Sequence, residues 1–126
     1  MVVLDVSAIV HYQLTEIYEM KMILNSAGEV FAPVINVSEL SNILLNYLNN
    51  NFIIKEEGVV YFQKGYNLID QFIGMNEYHM EIMFLAFDNH LSYYAEYLFL
   101  SLALNGKLYS RDKKLNKAAE QFGIKY

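Results

Sequence analysis

The chain has 126 residues, 55% hydrophobic and 18% charged, with a formal net charge of −5, which excludes a generic nucleic-acid binder held by long-range attraction. It has no cysteine, hence no disulfide framework and no thiolate metal site, and no apolar run reaches the roughly 18 to 20 residues of a spanning helix. The expectation is one domain, 1–126, able to bury a core, in a reducing cytoplasm, since the start lacks the basic segment of a secretory signal.

Val2-Val3-Leu4 opens the chain as an apolar run ended by Asp5, with Ser7 two residues on. A run apolar on both faces reads as a central strand of a parallel sheet, and ligands of open α/β sheets sit beyond the carboxyl ends of the strands. Asp5 is therefore placed for chemistry. Ala8 to Leu14 reads as a short helix with Ser7 as its N-cap, and Thr15 restarts a second helix carrying Ile17, Met20 and Leu24 on one face. Gly28 suits the left-handed residue past that helix's end.

Val30 to Ile35 is the second strand, with the single proline, Pro33, belonging at a strand end or edge. Leu40, Ile43, Leu44, Tyr47 and Leu48 then recur at helical spacing. Asn36 with Glu39 three residues on makes a capping-box pattern, while the short strand-to-helix turn puts Glu39 on the same rim as Asp5. Asn49-Asn50-Asn51 breaks this helix. Val59, Phe62, Tyr66, Ile69 and Phe72 predict a helix over 58–73, and a short third strand falls within 74–78. His79 to Phe87 reads as helix, with Ile82, Met83 and Ala86 inside.

Leu91 to Leu104 is apolar nearly all round, as a helix covered by other elements or by a partner would be. Lys107 to Ser110 is a short strand and Asp112 opens a final helix with Leu115, Ala118, Ala119 and Phe122 on its inner stripe. Gly123 stops it, and Ile124-Lys125-Tyr126 is a last edge strand. Five of the nine basic residues, Lys107, Arg111, Lys113, Lys114 and Lys117, cluster here, a local basic rim on an acidic chain. The alternation gives a three-layer α/β/α domain with a mainly parallel sheet of four to five short strands.

The pieces Leu4-Asp5-Val6-Ser7, Ala32-Pro33 leading to Glu39-Leu40-Ser41-Asn42-Ile43-Leu44, Tyr94-Ala95-Glu96-Tyr97-Leu98 and Leu108-Tyr109-Ser110-Arg111-Asp112-Lys113-Lys114-Leu115 stand in the order and at the distances of a PIN domain. The chain resembles the VapC-type toxin ribonucleases of toxin–antitoxin pairs over nearly its whole length. The resemblance implies an acidic pocket in which Asp5, Glu39 and Asp112 match three of the four family acids. Ser7 and Ser110 match small hydroxyl positions beside them, and Asn42 matches a polar position one turn after Glu39. The third acid is replaced by Tyr94. Glu96 lies two residues on, roughly 200° around a helix, and is the remaining acid of that segment, with Asp88 before it in reserve.

By that resemblance the chemistry is hydrolysis of single-stranded RNA, dependent on Mg²⁺ or Mn²⁺. Asp5 and Asp112 would be direct ligands, Glu39 would bind metal or orient water, and Arg111 and Lys113 would steer the RNA. Hard cations take oxygen ligands, and like charges 4–5 Å apart at an effective dielectric of 20 repel by about 3–4 kcal/mol, which a divalent ion relieves. A PIN fold of reduced activity, serving as an RNA- or antitoxin-binding partner, is the alternative, motivated by Tyr94. A phosphoacceptor receiver domain is a poorer fit, because residues 50–62 offer no aspartate ending a central strand. The aromatic excess in Tyr93 to Leu104 and the apolar face of Ile17 to Leu24 suggest a homodimer, and the resemblance adds a VapB-like antitoxin covering the acidic groove.

Overall fold

The computed structural model describes residues 1–15, 18–26, 28–91 and 95–126. Val2–Leu4 forms β1, with both faces of the strand inaccessible to solvent. It pairs in parallel with β2 (Val30–Pro33) on one side and β4 (Lys107–Tyr109) on the other, and β3 (Gln71–Ile73) extends the sheet beyond β2. The order is β3-β2-β1-β4, all parallel. Parallel pairing brings the carboxyl ends of the strands to one edge, so Asp5, Val34 and Ser110 emerge together. The Asp5 amide donates to the Tyr109 carbonyl at 3.1 Å across that edge.

Side-chain alternation divides the core. Val2, Leu4, Val30, Ala32 and Tyr109 face α1 (Val6–Thr15), α2 (Tyr18–Ser26), α3 (Ile35–Asn49) and α4 (Lys55–Asn67). Val3, Phe31 and Leu108 face α5 (His79–Asn89), α6 (Ala95–Ala103) and α7 (Lys113–Gln121). The fold is thus α/β/α in three layers, as the alternation of apolar runs implies. Among the described residues no helix is long and apolar enough to cross a membrane.

Several local expectations are corrected. Ser7 is not an N-cap but lies inside α1, which begins one residue after Asp5. Thr15 closes α1, its hydroxyl donating back to the His11 carbonyl at 2.6 Å, and does not open α2. Ile17 lies outside the described residues, while Met20 and Leu24 do pack inward. The helix expected over 58–73 is shifted to Lys55–Asn67, and the third strand lies at Gln71–Ile73, with Asn76–Tyr78 a 3₁₀ turn. The reason is pairing: Asp70 accepts the Val30 amide at 2.8 Å and Phe72 sits opposite Ala32, bonds that a continued helix would forfeit. Phe122 is exposed at the end of α7 instead of on its inner stripe. The carboxyl terminus makes a single parallel bridge, Leu108 to Lys125, and no full strand. Gly28, at φ 73°, takes the left-handed conformation expected of it.

The nearly all-apolar helix, expected to be covered by other elements or by a partner, is packed against other elements over its described part. Ala95, Tyr97, Leu98, Leu100 and Ser101 of α6 are buried against the sheet and its neighbouring helices. Exposed apolar side chains cluster elsewhere, on α4 with Val59 and Val60 and on α5 with Phe84 and Phe87.

Candidate active site

Asp5 is the buried centre of the carboxyl edge, with 0% of its surface exposed. Its Oδ2 accepts from the Ser7 hydroxyl at 2.6 Å and from the Ser110 hydroxyl at 2.7 Å. Both serines are held in turn by the segment after β4. The Arg111 amide donates to Ser7 Oγ at 3.0 Å and the Asp112 amide to Ser110 Oγ at 2.9 Å. Residues more than a hundred positions apart are thereby tied into one network. Asp5 Oδ1, in contrast, is buried and accepts no hydrogen bond among the described residues. Burial pushes the Asp5 carboxyl up, partly offset by the two serine hydroxyls and the Val6 amide, and the charge of Asp112 adds to the rise.

Asp112 caps α7, its Oδ1 accepting from the Leu115 amide at 2.9 Å. This explains its identity structurally and still leaves the other carboxylate oxygen for the rim. Glu39 lies on the first turn-and-a-half of α3, half-buried. The expected capping box with Asn36 does not form, because the helix starts earlier, with Val34 at the N-cap and Asn36 already helical. Glu39 is thus free of a capping role. Its Oε1 instead accepts from the buried Tyr97 hydroxyl at 2.6 Å. Burial pushes the Glu39 carboxyl up to about 7; the Tyr97 bond opposes the rise, and the charges of Asp5 and Glu96 add to it.

Glu96, in the first described turn of α6, is half-buried, and burial raises its carboxyl. It lies within electrostatic reach of Glu39, as the effect on that carboxyl records. Tyr94 lies outside the described residues. Asn42 is exposed beside Glu39 in a groove of about 380 Å³. Arg111 and Lys113 are exposed on either side of the Asp112 N-cap of α7, which follows β4 on the side of β1 away from β2 and α3. Asp88 is exposed on the last turn of α5.

Sequence reasoning assigned no role to Tyr97 and misread Asn36. Asn36 is 1% exposed, and its Nδ2 donates to the Tyr97 hydroxyl at 3.1 Å, with a longer 3.4 Å approach to the Leu4 carbonyl. The chain Leu4–Asn36–Tyr97–Glu39 therefore runs from the end of β1 to the half-buried carboxyl. A signal existed: a tyrosine inside an otherwise apolar helix needs a partner for its hydroxyl.

The donors gathered at this edge are hard oxygens, and the orphaned Asp5 Oδ1 with two raised carboxyls marks negative charge the protein leaves uncompensated. Those residues fit a hard divalent cation of the kind held by one or two carboxylates together with water and substrate phosphate. They do not make a cage of three, since among the described residues no three His, Cys, Asp or Glu side chains are grouped to hold a metal.

No family model matches the sequence, and no curated protein matches it. A solved structure does: PAE2754 from Pyrobaculum aerophilum superposes with a TM-score of 0.73 at 13% sequence identity, covering 93% of this chain and 78% of that one. The fold is PIN-like. At this identity the match speaks for the architecture, and the PIN-like frame of a parallel sheet in the order 3-2-1-4 is what sets Asp5 at the carboxyl edge between two helical layers.

Proposed function

We propose that the chain is a PIN-type nuclease that hydrolyses phosphodiester bonds of single-stranded RNA with Mg²⁺ or Mn²⁺. The observation that carries the reading is Asp5, a fully buried carboxyl with one oxygen left unpartnered at the edge where PIN-like folds place an acid. A bound divalent cation would supply Lewis acidity for the phosphate and for an attacking water. Asp5 and Asp112 would hold the ion. Ser7 and Ser110 fix Asp5 Oδ2 and so leave Oδ1 as the oxygen for the ion. Glu39, with a carboxyl near 7, is matched to taking and returning a proton at neutral pH, and Tyr97 fixes which way that carboxyl faces. Glu96 adds negative potential at the same place. Arg111 and Lys113 attract the RNA backbone.

The partners in this reading are a second copy of the chain and an antitoxin segment of VapB type. The antitoxin segment would cover the acidic groove beside Asp5 and Glu39, and the second copy follows from the aromatic and aliphatic excess of Tyr93 to Leu104 and Ile17 to Leu24 in the sequence. A second reading, a PIN fold that binds RNA or antitoxin with little cleavage, is favoured by the absence of a three-acid group among the described residues.

The test is cleavage of single-stranded RNA by the purified protein with Mn²⁺, with chelator, and with Asp5→Asn. Cleavage that needs the ion and falls with Asp5→Asn by more than the roughly 10–100-fold cost of losing an outer-shell partner supports the first reading. RNA binding without cleavage supports the second. Cleavage indifferent to both ion and substitution contradicts the assignment.

A further inference from the structure

We infer that the groove running from Glu39 along α3 is a nucleobase-reading subsite, in which Asn42 and Asn46 recognise an unpaired base next to the scissile bond. The inference rests on the RNA-hydrolase reading above and adds to it where sequence preference resides. Ser38, Asn42 and Asn46 stand at successive four-residue steps and line one wall of the groove, about 12 Å from first to last along the helix. Glu39 and Val6, the residue after Asp5, also line it. Ile35 and Ile43, both partly buried, complete the lining. Its volume of about 380 Å³ falls in the range of small-molecule sites.

Three features favour a base over a phosphate. Among the described residues no lysine or arginine lines this groove, whereas Arg111 and Lys113 follow β4, on the side of β1 away from β2 and α3. Apolar side chains among the lining suit the flat face of a base, and an amide carries both a donor and an acceptor, the pair that meets adenine N6 and N7. Unpaired RNA presents those edges freely. The third feature is cost. Asparagine is a poor residue for a helix interior because its amide competes with the backbone. Asn36, Asn50, Asn89 and Asn116 each donate their amide to a group in the protein, and the helical Asn25, Asn49 and Asn67, for which no such bond is seen among the described residues, lie outside this groove. Among the described residues Asn42 and Asn46 make no such bond, and both are exposed in the groove wall.

The experiment uses the full chain with Mn²⁺ and short single-stranded oligoribonucleotides that differ only in the bases flanking the cleaved bond. Wild type, Asn42→Ala, Asn46→Ala and the double variant are compared by kcat/KM on each. The expected result is a wild-type preference for adenine that the alanine variants reduce by about 5- to 150-fold, the discrimination of a bidentate amide contact. Asn46→Ala is expected to leave the disfavoured sequences cut at nearly the original rate, and Asn42→Ala, beside the acidic pocket, is read on the ratio between sequences. Loss of a wild-type preference for a different base supports the subsite too. Lys113→Ala serves as the contrast, slowing all sequences alike. A wild type that cleaves without base preference, or a double variant that keeps the preference, overturns this inference and leaves the nuclease reading standing. A wild type that cleaves no RNA removes both.

Discussion

At the residue scale the account turns on how two carboxyls are held. Asp5 has its Oδ2 fixed by Ser7 and Ser110, and Glu39 has its Oε1 fixed by Tyr97. Tyr97→Phe deletes that last donor and leaves the Asn36 amide without its nearer acceptor. The expected cost is about 1–3 kcal/mol of stability by urea unfolding, the penalty for stranding buried polar groups. A second effect separates positioning from mere packing. The Tyr97 bond lowers the Glu39 carboxyl against burial, so its removal moves that carboxyl above about 7. The acid limb of the pH–rate profile for RNA cleavage is then expected to shift to higher pH in Tyr97→Phe. An unchanged limb with reduced stability would leave Tyr97 a packing residue only. On the opposite side, Lys113→Ala is expected to reduce the slope of log affinity against log salt by about 0.7, the contribution of one phosphate contact on a single strand.

At the scale of elements, the legible parts are those written in local pattern. Val2-Val3-Leu4 followed by Asp5 reads directly as a buried strand with an acid at its exit. The stripe Leu40, Ile43, Leu44, Tyr47 and Leu48 does pack inward, and Asp112 does open α7. What misled was local pattern with a non-local competitor. Ile69 and Phe72 fit a helical period, but the ladder to β2 places Phe72 in a strand. Asn36 and Glu39 spell a capping box, but the start of α3 at Ile35 carries Asn36 inside, where the fold uses its amide against Tyr97. Ser7 spells a cap and is spent on Asp5. The pairing of Ser110 with Asp5 spans nearly the whole chain, and no local rule exposes it. Gly65 is a further case: a glycine inside a helix costs propensity, and this one marks the close approach of α4 to α1 and α3. A Cβ there would lie 2.8 Å from Leu40 Cδ2 and 3.1 Å from Ile9 Cγ2. Gly65→Ala is therefore expected to destabilise by about 1–2 kcal/mol, overpacking outweighing the roughly 1 kcal/mol gain in helix propensity. A rise in the unfolding midpoint would contradict that packing.

At the scale of the whole molecule, the uncompensated acids link stability to pH. Glu39 titrates near 7 in the folded chain against 4.5 for the free side chain, and Asp5 is raised as well. Between those limits the folded state binds more protons than the unfolded one, so stability falls as pH rises. The Glu39 contribution is fully present below about 4.5 and is lost as pH passes about 7, and Asp5 acts in the same direction. Urea midpoints of the metal-free protein are expected to be lower at about pH 8 than at about pH 5 on this account, and Mn²⁺ is expected to narrow the gap. The most direct measurement is a Mn²⁺ titration of the wild type and Asp5→Asn near neutral pH, by calorimetry or by the electron-spin signal of the free ion, with far-ultraviolet circular dichroism confirming that both are folded. The account expects saturable binding to the wild type and affinity reduced by more than about 100-fold in Asp5→Asn. Equal binding by the two folded proteins, or none by the wild type, would contradict it.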